Sequence, residues 1–158
     1  TKNLSVTGYS VVDCSEISDE DFEKMFTVTD NDVESGTIYV LRSKSTRPEI
    51  ASIPNLYKIG FTVTSVESRI ANAKNEPTYL CADVEVAATW KVYNVKSSTF
   101  EALIHKLFAS VQLQVTVDGH QPKEWFIVPL PIIEKAIVNI IKGIPMKYDR
   151  QIQQIIEL

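Results

Sequence analysis

Apolar and polar positions alternate most regularly from Cys81 to Val95, where Ala82, Val84, Val86, Ala88, Trp90 and Val92 interleave with Asp83, Glu85, Thr89 and Lys91. A period of two predicts a half-buried strand. Thr37 to Leu41 and Leu56 to Thr62 are rich in β-branched and aromatic residues and predict two more strands. Glu124 to Val128 predicts a short fourth extended segment. Elsewhere the apolar spacing is helical. Val66, Ile70 and Ala73 form one stripe behind a Thr64-x-x-Glu67 capping pattern. Phe100, Leu103, Ile104, Leu107, Phe108 and Val111 form a second, on a helix starting at Ser98 or Thr99. Ile132, Ile133, Ala136, Ile137, Ile140 and Ile141 form a third, opened by Pro131 and closed by Gly143. Ser18, Asp21, Phe22, Met25 and Phe26 predict a short capped helix near the start, and Asp118-Gly119 a turn. Residues 144–158 are amphipathic at best and read as a docking helix or the beginning of further chain.

Alternation assigns faces as well as strands. Ile38 and Val40 share one face of the first strand, opposite Thr37, Tyr39 and Leu41. On the second strand Tyr57, Ile59 and Phe61 make a core face, leaving Leu56, Lys58, Gly60 and Thr62 opposite. A hairpin pairing would place Tyr39 and Lys58 on one side, with Gly60 leaving room there for a ligand. The loop between these strands, Ser43 to Asn55, carries Pro48 and Pro54 and is long for a hairpin.

Composition narrows the class. The chain has 158 residues, 44% hydrophobic and 23% charged, enough for one domain with a sizeable core. No apolar run approaches the ~18 residues of a membrane span, and no signal-peptide pattern opens the chain. Two cysteines, Cys14 and Cys81, make no disulfide framework, so a cytoplasmic location is expected. With His105 and His120 they also lack zinc-site spacing. The net charge of −4 is unevenly spread. Residues 1–35 hold nine acids against Lys2 and Lys24, leaving the remainder with eleven acids and fourteen bases. The acidity that argues against nucleic-acid binding therefore sits in the leader.

In order, the chain offers Gly36-Thr37-Ile38-Tyr39, Tyr57-Lys58-Ile59-Gly60, Arg69 on the first main helix, Glu101 with His105 on a later one, and Glu124-Trp125-Phe126. This set resembles the GIY-YIG nuclease superfamily, nearest the phage-type branch with meiotically up-regulated proteins, over roughly residues 36–141. The resemblance implies an α+β fold with a small three-stranded antiparallel sheet flanked by helices. The implied boundaries are an acidic helical extension over 1–35, a nuclease-like domain over 36–143 and a tail over 144–158. It also implies hydrolysis of DNA phosphodiesters with one Mg²⁺ or Mn²⁺. Carried across, Tyr39 is the base, Lys58 stands where most members have a second tyrosine, Arg69 is the helix arginine and Glu101 the metal-binding glutamate. Lys58 would favour the Tyr39 phenolate, Arg69 would grip phosphate, and His105 would orient water or touch phosphate. The first motif carries an inserted threonine, and no late asparagine matches, so either Glu124 or a backbone group takes that place or the site is weakened.

Each residue also has a plainer reading. Tyr39 serves as a strand aromatic, Glu101 as the third residue of a capping box with Ser98, and Arg69 as the partner of Glu101 in a surface ion pair. The alternative function is a catalytically silent module of this fold binding DNA or a protein partner. A third is an interaction domain whose acidic leader meets a basic partner. A further domain or partner outside the 158 residues is compatible with all three.

Overall fold

The computed structural model describes residues 34–158. The short capped helix near Phe22, the acidic helical extension to residue 33 and Cys14 lie outside the described residues. The elements run β1 (Glu34–Ser43), α1 (Pro48–Ala51), β2 (Leu56–Thr62), α2 (Val66–Ile70), two 3₁₀ turns (Ala73–Asn75, Pro77–Tyr79), β3 (Val84–Tyr93) and α3 (Ser97–Leu107). A third 3₁₀ turn (Ala109–Val111) then leads to β4 (Trp125–Ile127), α4 (Leu130–Lys142), β5 (Met146–Asp149) and β6 (Gln154–Glu157).

The fold is α+β, and its main sheet is antiparallel with strand order β3-β1-β2-β4. The expected three strands are therefore four. Trp125, Phe126 and Ile127 pair with Lys58, Tyr57 and Leu56, extending the sheet by one short strand. The tail is corrected too. Residues 146–157 form a β-hairpin, with Met146 and Ile155 packed into the main core. Each four-residue strand buries a single residue, and Asn139 of α4 donates to Glu157.

β1 is central, and Ile38, Tyr39, Val40 and Leu41 are each no more than 1% exposed. A strand buried on both faces reads as a continuous apolar run rather than an alternating one. Against the first face, α3 and α4 pack Phe100, Leu103, Ile104, Ile133, Ile137 and Ile140 onto Ile38, Val40, Ile59 and Trp90. The second face, bearing Tyr39, Leu41, Leu56 and Trp125, is covered by Val66, Ala73, Tyr79, Leu80 and Ile50 from the connecting segments.

The alternation of β3 changes phase midway. Val40 pairs with Ala88 but Leu41 with Val86, so Ala87 is a bulge. Ala88, Trp90 and Val92 join the first face, whereas Val84 packs with the second.

Candidate functional site

β4 is only three residues long, and this decides where the site can form. Its last backbone bond to β2 is Ile59 N to the Glu124 carbonyl, 3.1 Å. Beyond it the edge at Gly60–Thr62 has no strand partner among the described residues. Side chains from the two sides of the sheet can meet around that short edge. Lys58 comes from the second face, Glu101 and His105 from α3 on the first, and Arg69 and Tyr79 from the connecting segment.

Register puts Tyr39 opposite Gly60 and Leu41 opposite Lys58, so Tyr39 and Lys58 share a face as expected. Tyr57 joins the opposite core. What Gly60 makes room for is different. A Cβ there would lie 2.4 Å from the Tyr39 ring and hydroxyl, so the glycine accommodates the Tyr39 phenol rather than a ligand.

Lys58 is fully buried, and its ammonium is paired with the Glu124 carboxylate. Burial lowers its pKa, while the Glu124 charge and hydrogen bond oppose that shift. The expected partnership with Tyr39 is not what the site holds. Burial pushes the Tyr39 phenol far above its ordinary range, and Tyr79 and Arg69, not Lys58, are the main neighbours acting on it. Burial therefore disfavours the Tyr39 phenolate that Lys58 was expected to promote.

Tyr79 was not singled out from the sequence. Its hydroxyl donates to the Arg69 carbonyl at 3.2 Å, so in its interaction with Tyr39 it is the acceptor. The Lys58 ammonium lies 5.2 Å and the Arg69 guanidinium 5.4 Å from the Tyr79 ring centroid. Cations within about 6 Å of a ring face are attracted by its quadrupole. Arg69 thus rests on an aromatic face.

Glu101 is half-buried. Burial raises its pKa first and the Glu124 charge second, with Lys58 and Arg69 opposing. The capping-box alternative does not form. Lys96 occupies the N-cap of α3 without a side-chain cap, which places Glu101 fifth in the helix, beyond N3. The Thr64–Glu67 box is likewise replaced, since Ser65 caps α2 by accepting from the Ser68 amide. One turn on from Glu101, the His105 ring sits edge-on to Phe126 at 5.6 Å. Burial lowers the His105 pKa, and its Nε2 is buried without a partner.

Glu124-Trp125-Phe126 joins these parts. Glu124 pairs with Lys58. Trp125 packs on the second face and donates its indole N–H to the Thr78 carbonyl at 2.9 Å, fixing the turn that carries Tyr79. Phe126 packs on the first face against His105 and Phe108. Strand alternation sends Trp125 to one face and Phe126 to the other, while Glu124, just ahead of the strand, turns to Lys58. The motif was legible, but the role of Glu124 was not. Nothing in the sequence marked Tyr79, since proximity to Lys58 and Arg69 requires the turns at 73–79.

No group of three or more His, Cys, Asp or Glu among the described residues is arranged to hold a metal ion. Glu124 brings a second carboxylate close enough for its charge to raise the Glu101 pKa. That donor set suits a hard cation that retains several waters, as Mg²⁺ does. No helix among the described residues is long and apolar enough to cross a membrane.

Comparison with known proteins places these features in a family. Bacillus subtilis (strain 168) YeeC, an uncharacterized protein, is 45% identical over 130 residues, covering 79% of this chain. The chain spans about a third, 34%, of that relative's length. No solved structure matches. The T5orf172 domain matches residues 36–144, containing every candidate residue above. This match overturns the assignment to the GIY-YIG superfamily. The short motifs behind that resemblance are mostly strand residues common to many sheets, and such segments identify a family weakly. The chain belongs to the T5orf172 domain family.

Proposed function

We propose that this domain hydrolyses DNA phosphodiester bonds with one divalent cation, Mg²⁺ or Mn²⁺. The observation that carries the proposal is the meeting of Lys58, Arg69, Glu101, His105 and Glu124 around the short β2–β4 edge, underlain by two phenols. Structural ion pairs are common, but a half-buried carboxylate pair beside a solvent-reaching arginine on an aromatic support suits phosphate chemistry. Glu101 and Glu124 would hold the cation, which when bound would neutralise phosphate charge and acidify a water. Arg69, exposed at the rim, offers a planar fork to phosphate oxygens. Lys58 holds Glu124 in place. Tyr39, neutral, supplies a proton-bearing hydroxyl rather than a base. His105, on the flank of α3 one turn from Glu101, would orient a water or touch phosphate once the site opens to its buried Nε2. A cytoplasmic location belongs to the same proposal.

A second reading is a silent DNA-binding module. It is favoured by closure, since Tyr39, Lys58 and Tyr79 are each no more than 1% exposed. Nicking of supercoiled plasmid by the 158-residue chain in Mg²⁺ or Mn²⁺, against a Glu101→Gln control, separates the two. Metal-dependent nicking lost in the control supports hydrolysis. Binding without nicking supports the silent module, and absence of both overturns each.

A further inference from the structure

Tyr79 is fully buried, yet its polar and π surfaces are both engaged by the site. One hydroxyl meets the Tyr39 phenol and the Arg69 carbonyl. One ring lies within 5.4 Å of both Lys58 and Arg69. The turn carrying it is fixed by the Trp125 indole on the Thr78 carbonyl. Trp125 in turn neighbours Glu124, the partner of Lys58. A core tyrosine needs only one hydrogen-bond partner to satisfy its hydroxyl. Packing alone does not explain two cations on the same ring, one of them, Lys58, fully buried and the other, Arg69, reaching solvent.

We propose that Tyr79 is the positioning residue of this site. Its ring sets Lys58 and Arg69 relative to each other, and its hydroxyl orders Tyr39. Residues from β1, β2 and α2 then hold one geometry although no single element joins them. The catalytic part of this inference rests on the hydrolytic reading, but its structural part stands on duplex binding.

Tyr79→Phe and Tyr79→Leu, made in the 158-residue chain, test it. Phenylalanine keeps the ring and removes the hydroxyl. Leucine removes both. Thermal melts confirm folding, and cleavage of a short duplex in Mn²⁺ gives kcat and KM. Duplex affinity is measured separately in EDTA. Tyr79→Phe is expected to keep parental KM and duplex affinity while kcat falls roughly tenfold, the scale of one lost ordering hydrogen bond. Folded Tyr79→Leu is expected to lose about a hundredfold in kcat, as when a catalytic group shifts by about 1 Å. Its duplex affinity is expected to fall roughly tenfold with the loss of the cation supports. NMR adds a readout independent of activity. Side-chain protons of Lys58 and Arg69 should show ring-current shifts in the parent and in Tyr79→Phe.

Parental kcat and KM in folded Tyr79→Leu would overturn the proposal, as would parental kcat in Tyr79→Phe. If Tyr79→Leu fails to fold, Tyr79→Phe decides. If the parent does not cleave, the hydrolytic reading fails instead, and Tyr79 is judged on duplex affinity and ring-current shifts. Parental affinity in Tyr79→Leu, or absent shifts in Tyr79→Phe, would then overturn it.

Discussion

Replacing Glu124 by glutamine leaves the buried Lys58 ammonium without its carboxylate. Lys58 is 0% exposed and Glu124 28%, so the lysine carries most of the desolvation. Breaking a buried pair by removing one partner costs about 3–5 kcal/mol. A second route gives a similar ceiling. Lys58 can instead lose its proton, which at pH 7 costs an ordinary lysine about 5 kcal/mol at ~1.4 kcal/mol per pH unit. For a chain of this length that lowers Tm by roughly 6–20 °C. The pH dependence follows from the direction of the Lys58 shift. Burial already depresses its folded pKa below 10.5, and removing Glu124 removes the two main effects opposing that depression. Between the folded pKa and 10.5 the unfolded chain binds more protons, so stability rises with pH. In Glu124→Gln this window begins lower, and the deficit relative to parent should shrink as pH climbs from 7 toward 10. Urea unfolding of both proteins at pH 7, 8, 9 and 10 measures it. On a Lys58→Met background, Glu124→Gln should cost less than about 1 kcal/mol. A small, pH-independent cost on the parental background would refute the charged, buried pairing.

Glu101→Gln should melt at or above the parent, because burial and Glu124 both disfavour the Glu101 charge, while metal-dependent nicking disappears. A variant that nicks at the parental rate would remove Glu101 from the site. Gly60→Ala forces a methyl against the Tyr39 phenol and should cost about 1–3 kcal/mol in urea titrations, with cleavage lost. Unchanged stability would show that Tyr39 moves aside freely. Deleting residues 1–33, which carry most of the acidic excess, should tighten duplex binding at low salt, with the gain fading near 0.15 M where the screening length is ~8 Å. Affinities equal at every salt concentration would separate the leader from DNA competition.

Most elements were legible because their signals are local. The stripes of α3 and α4, the Gly143 stop and the Asp118-Gly119 turn depend on neighbours a few residues away. β3 was legible as a strand but not in phase, since the bulge at Ala87 is defined only against β1. The short strand within residues 124–128 was legible, and the count of three came from the resemblance; the terminal hairpin was missed because four-residue strands carry too few alternations to outweigh other patterns.

The candidate site divides along the same line. Sequence alone determined that Tyr39 and Lys58 share a face and that Glu101 and His105 share a helix flank, because strand and helix periods fix those relations within one element. Only the tertiary structure decided what each side chain meets. It gave Lys58 to Glu124, filled the space over Gly60 with Tyr39, and brought Tyr79 beneath Arg69. Those contacts join segments as much as 66 residues apart, across a sheet edge opened by a three-residue strand. Periodicity sets the direction in which a side chain leaves its own element. Its partner is set by how other elements pack, and burial then turns the same residue from a free charge into half of a pair.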